Sequence, residues 1–229
     1  MTTISAPPAA PRESGARPGT GTGWWLVVAG ATLVFLYGLA YVVVGDRMYP
    51  PNLAGSFRAR PWGIYPHAFF GALAVILGPF QFRRDLLVRR RALHRALGRT
   101  YVACALLAGA AGFYMAFHSY GGLDTHLGFG GLAIATLVTT AQAFRSVRAR
   151  RFVEHREWMI RSYALIFAAV TLRLQMPLLI VLTGGSFDAT YAIVAWSCWL
   201  PNLVWAEWWI RRSTVRERPR VRELARRPA

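Results

Sequence analysis

The sequence predicts an all-α integral membrane protein, a six-transmembrane helix bundle with both termini cytoplasmic and a four-helix core formed by helices 2–5. Three observations carry this. Hydrophobic residues make up 55% of the 229-residue chain and gather in six blocks, each long enough to cross a ~30 Å hydrocarbon layer. The net charge is +17, carried by 27 arginines without a single lysine, and those arginines fill gaps between apolar blocks. The gaps alternate between arginine-rich and arginine-free, except that the first carries Arg47, Arg58 and Arg60 on the outer side, and this is the positive-inside pattern. Basicity distributed this way speaks for topology and against nucleic-acid binding.

Residues 1–23 are rich in Pro, Ala, Gly and Thr and read as a disordered N-terminal tail. The six-helix domain spans 24–210. Its first helix, Trp24–Val44, is longer than the apolar core of a secretory signal. A Pro-rich loop from Asp46 to about Ile64 carries Tyr49 and Trp62, residues suited to an interface. Helix two runs from about Tyr65 to Phe82, and the connection Arg83–Arg99 is dense in arginine. Helix three then extends to about Ser119, and helix four covers roughly His126–Phe144.

The connection Arg145–Arg156 is again basic; helix five ends near Gly184, and helix six covers about Tyr191–Ile210. Residues 211–229 hold eight arginines and read as a basic cytoplasmic tail. Near anionic headgroups each such arginine contributes roughly 1 kcal/mol, so membrane lipids are the expected partners. Arginine-rich loops on the cytoplasmic side point to a bacterial cytoplasmic (inner) membrane. Cys104 and Cys198 fall inside apolar runs, so no disulfide framework is expected. No CxxCH stretch, nucleophile–base pair, phosphate loop or HExxH motif occurs.

Arg173 is the most informative single residue. It lies twelve positions beyond Arg161 in the run HREWMIRSYALIFAAVTLR, so it sits roughly 18 Å deeper along a helix. An arginine at that depth is costly and marks a functional site whose partner must be found. Carbonyls and polar neighbours such as Gln142 or Gln175 are the structural alternative to a bound anion.

The histidines form an order of their own. His67 and His126 open helices two and four at the outer end; His94 and His155 precede helices three and five at the inner end. Two pairs of facing imidazoles result, as six-coordinate haem iron requires. Gly71, Gly98 and Gly130 follow His67, His94 and His126 at i+4, one turn deeper on the same face. A flat macrocycle held by the histidine needs a small residue there. This pattern predicts two b-type haems, with His67, His126, His94 and His155 on iron and Arg173 on a propionate. Interfacial histidines and packing glycines are the alternative. His118 is unassigned; with His67 and His126 it would make a three-histidine zinc or copper site. Arg95, Arg99 and Arg161 line the inner end near His94 and His155, where they would hold propionates or an anionic electron donor, or else only fix topology.

The segments HAFFGALAVILGPFQF, HRALGRTYV and HREWMIRSYAL…TLR resemble those of the bacterial membrane-protein family DUF2306, over about residues 65–210. That resemblance implies membrane residence and no activity. More distantly the chain is similar to cytochrome b561-type diheme proteins, which have six helices and cytoplasmic ends. That likeness implies ligand pairs His67–His126 and His94–His155, and transmembrane electron transfer from a quinol or small-molecule donor. The rival expectation is a cofactor-free transporter, scaffold or assembly factor.

Overall fold

A computed structural model describes residues 21–224, with side chains described as far as Ser213. The expected disordered tail lies, but for its last residues, outside that range. Ten α-helices and no strand occur among the described residues. They are α1 (Thr22–Val44), α2 (Pro51–Ala59), α3 (Pro61–Gln81), α4 (Arg84–Arg89) and α5 (Arg91–Ala116). Then follow α6 (Leu123–Arg148), α7 (Phe152–Ile166), α8 (Ala168–Leu182), α9 (Phe187–Ser197) and α10 (Leu200–Leu224).

Five stretches are long and apolar enough to cross a membrane: Thr22–Met48, Pro61–Gln81, Arg91–Ala116, Leu123–Arg148 and Phe152–Leu182. The sixth expected block is split between α9 and α10 at Cys198 and Trp199. Pro201 explains the split, since it has no N–H to offer the Ser197 carbonyl one turn back. Gln175 Nε2 satisfies that carbonyl instead, at 3.2 Å, and Ser197 Oγ returns a bond to Gln175 Oε1 at 2.9 Å. The fifth span is interrupted likewise at Phe167, between α7 and α8. Asn202 Nδ2 reaches the Ala164 carbonyl there at 3.3 Å and Thr171 Oγ1 at 2.9 Å. The two broken helices are thus sewn together by side-chain amides, which apolar surroundings make necessary.

Two connections differ from expectation. The Pro-rich loop contains α2, started by Pro51 at its first position. The basic connection contains α4, and α5 begins at Arg91, well ahead of its apolar block. Arginine is a good helix former, so the helix continues into the charged zone. His94 and His155 therefore lie on helices, not before them. At the other end, α10 carries the basic tail onward as helix to Leu224.

Small residues set the helix spacing, as in membrane bundles generally. A Cβ on Gly38 of α1 would lie 2.7 Å from Ala72 Cβ of α3. One on Gly128 of α6 would lie 2.9 Å from both Ala195 Cβ and the Ala195 carbonyl of α9. The Tyr163 ring of α7 covers bare Gly78 of α3. Helix contacts run α1–α3–α5–α6–α9–α8 and back to α1, a closed circuit. At the arginine-rich end α7 packs on α6, α3 and α10 and completes the core.

Candidate functional site

Within that circuit His67 of α3 turns toward α5. Its Nδ1 lies 3.0 Å from the Ala108 carbonyl. A carbonyl only accepts, so Nδ1 carries the proton and Nε2 keeps a lone pair. Gly112 makes the approach possible, since a Cβ there would lie 2.8 Å from His67 Nδ1. Metal-bound histidines are oriented in this way, with one ring nitrogen donating to a carbonyl.

Arg173 of α8 is near enough to act electrostatically on His67. Its Nη1 donates to the Ala169 carbonyl at 2.8 Å, and its guanidinium lies 4.7 Å from the centre of the Tyr37 ring on α1. The expected alternatives are otherwise occupied or elsewhere; Gln175 pairs with Ser197. A carbonyl of its own helix and an aromatic face leave most of five donors for something else.

His67 and Arg173 share an uncommon setting. Both are exposed polar side chains on stretches long and apolar enough to cross a membrane. The glycines one turn on lie at ordinary contact distance from the neighbouring helix. A Cβ on Gly71 would meet nothing nearer than Ala108 Cβ at 3.9 Å, and one on Gly130 nothing nearer than Ala116 Cβ at 3.9 Å.

His126 is placed differently. Its Nε2 donates to the Ser119 carbonyl at 3.0 Å, so it faces the turn between α5 and α6. His118, in the turn that follows α5, donates from Nδ1 to the Tyr114 carbonyl of that helix at 3.1 Å. The expected three-histidine site is not formed: among the described residues no three His, Cys, Asp or Glu side chains gather for a metal. Each of the three rings is drawn to a different carbonyl.

At the arginine-rich end His94 and His155 come within electrostatic reach of each other. His155 Nδ1 donates to the Ala143 carbonyl at 2.8 Å, which again leaves Nε2 free. His94 Nδ1 is buried without a protein partner, as is Gln81 Nε2. The Gln81 side chain lies over Gly98, its Oε1 3.0 Å from where a Cβ would be. Arg161 is satisfied by protein: Nε and Nη2 reach Glu207 Oε1 and Oε2 at 2.5 and 3.0 Å, over the Trp158 ring. It is therefore not waiting for a propionate.

These observations bear unequally on haem. Away from the arginine-rich end His67 and Arg173 fit it, an oriented imidazole and a cation with no carboxylate partner among the described residues, whereas Gly71 and Gly130 lie at contact distance from Ala108 and Ala116 and leave no gap for a ring. His126 fits only after its ring leaves Ser119. At the inner layer the imidazoles are near one another, but Gln81 covers the face that Gly98 was expected to keep open. Two ligands per iron are fewer than the three-residue gatherings considered above.

Sequence reasoning missed Tyr37, Gln81, Glu207 and a buried chain of hydroxyls, Tyr101, Ser162 and Thr140. The spacing held a signal for the last. Tyr101 follows His94, and Ser162 follows His155, each by seven residues on one helix face.

Residues 64–210 match the family model described as a predicted membrane protein, DUF2306. The chain belongs to that family. No curated protein and no solved structure shows a significant match. The likeness to cytochrome b561-type proteins rests on the histidine pattern alone.

Proposed function

We propose that this DUF2306 member is a six-span protein of a bacterial cytoplasmic membrane that binds b-type haem and passes electrons across the bilayer. Both termini face the cytoplasm, and α9 with the first half of α10 forms the sixth span. The observation that supports this best is His67: its Nδ1 is tied to Ala108, which leaves Nε2 with its lone pair on an exposed side chain, within electrostatic reach of Arg173, which has no carboxylate partner among the described residues.

Haem, when bound, supplies a one-electron couple whose potential follows from its axial ligands and surroundings. The chain supplies the rest. His67 offers Nε2 as a fixed ligand, and Arg173 neutralises an anionic edge at a depth where a bare carboxylate is costly. Gly71 and Gly130 would let a flat ring approach the backbone once Ala108 and Ala116 of α5 move away from them. His126 provides the second ligand by giving up Ser119. A second haem between His94 and His155 requires Gln81 to swing away from Gly98. Electrons arrive from a quinol or small-molecule donor at the arginine-rich end.

The competing reading is a cofactor-free bundle, and tight glycine contacts at Gly38 and Gly128 favour it. A dithionite-reduced minus oxidised spectrum of protein from haem-replete cells decides between them. Expected are sharp bands in the wild type and loss of the outer haem in His67→Ala. Colourless wild-type protein would end the haem reading.

A further inference from the structure

Tyr101 Oη lies 2.9 Å from Ser162 Oγ, and Ser162 Oγ lies 2.7 Å from Thr140 Oγ1. One hydroxyl comes from each of α5, α7 and α6, and all three residues are fully buried. Either oxygen can donate in each contact. Three hydroxyls share two bonds, so the chain has two polarities, with the spare hydrogen at Thr140 or at Tyr101.

Neighbouring threonines behave otherwise. Thr136 and Thr139 give their hydroxyls to the Leu132 and Ala135 carbonyls of their own helix, at 2.8 and 2.7 Å. Such back-bonding is the ordinary fate of threonine in a membrane helix, and Thr140 turns to Ser162 instead.

Polar groups continue from the Tyr101 end of the chain. Toward the arginine-rich end, His94, Gly98 and Tyr101 share one face of α5, with Gln81 laid on Gly98. Gln81 Nε2 and His94 Nδ1 are the buried atoms there without a protein partner. Groups of this kind in a polar interior hold water. Toward the opposite end Thr136 is one turn on from Thr140, its hydroxyl held by the Leu132 carbonyl and its methyl toward Gly109, beside the Ala108 carbonyl that His67 bonds. His67 and Arg173, both exposed, lie on that side.

We propose that Tyr101, Ser162 and Thr140 form the central link of a proton path through the bundle, with water completing it at each end. Each oxygen takes a proton on a lone pair as it releases its own, so one proton leaves for each that arrives. No electron moves, and rotation of the three hydroxyls restores the first polarity. This activity does not depend on haem.

The test uses the full chain in liposomes holding a pH-sensitive dye, with a potassium gradient and valinomycin imposing the potential. Wild-type liposomes should acidify faster than protein-free ones. Ser162→Ala and Tyr101→Phe should each slow this by roughly tenfold, because a broken link leaves a buried hydroxyl unpaired. Thr139→Ala should keep the wild-type rate. Circular dichroism and size-exclusion profiles identify any variant that fails to fold, and Thr140→Val then stands in for it. Equal rates in wild-type and protein-free liposomes overturn the proposal, as do wild-type rates in the folded variants. A colourless protein that still conducts protons separates this inference from the haem reading.

Discussion

Arg161 holds Glu207 at two points, Nε to Oε1 at 2.5 Å and Nη2 to Oε2 at 3.0 Å. The contact joins α7 to α10 near the arginine-rich end, with Glu157 a further 3.9 Å neighbour. The Arg161 side chain is 17% exposed and that of Glu207 35%, so the pair stands between surface and buried ion pairs. Glu207→Gln should cost roughly 1–3 kcal/mol. A thermal melt in detergent should show a fall of several degrees, with Arg161→Gln giving no further loss in the double variant. Additive losses would mean that the two residues act separately.

Arg173 invites the opposite expectation. Its protein partners are one carbonyl and one aromatic face, and removing an under-compensated charge from a membrane interior is favourable by roughly 2–3 kcal/mol. Arg173→Met should therefore melt higher than the wild type in the absence of ligand. A lower melting temperature would show that the arginine serves packing. In haem-replete protein the same variant should lose haem more readily on dilution.

Two glycines of similar appearance should respond differently to one methyl group. Gly38→Ala sets a Cβ 2.7 Å from Ala72 Cβ and 3.2 Å from the Ala68 carbonyl, atoms that cannot move without their helix. It should destabilise by about 1–3 kcal/mol. Gly71→Ala meets nothing nearer than 3.9 Å and gains about 0.5–1 kcal/mol of helix preference. It should melt at or above the wild-type temperature. If a macrocycle rests there, Gly71→Ala nonetheless reduces haem content, and absorbance read against protein concentration separates the two effects.

Tyr120 links the turn between α5 and α6 to the first turn of α9, at the end opposite the arginines. Its hydroxyl donates to Asp188 Oδ1 at 2.6 Å, and this bond raises its pKa above the usual 10.0. A raised pKa favours the neutral phenol in the folded state. The contribution is therefore complete below about pH 10 and is lost as pH climbs through the raised value. Asp188→Asn should lower the melting temperature slightly at pH 7–9 and flatten its decline above pH 10. Identical alkaline limbs in both proteins would show that the bond contributes nothing.

The all-helical class, the apolar spans of α1, α3, α5, α6 and α7–α8 and the arginine-rich segments between them were written in the chain, because a hydrocarbon layer asks only for length and apolarity, and arginine marks the ends locally. The nearness of His94 to His155 was legible for the same reason: a residue's place along a span follows from its count along a helix. Direction is another matter. Whether His67 faces Ala108, or His126 returns to Ser119, depends on helix rotation and on which neighbour is bare at Gly112. Partners distant in sequence were equally hidden, Glu207 for Arg161 and Tyr37 for Arg173. Tertiary structure alone decided where the fifth span breaks between α7 and α8, where the block after it breaks between α9 and α10, and which side-chain amides repair them. Pro201 foretold a lost hydrogen bond, but only packing could bring Gln175 to the carbonyl it released.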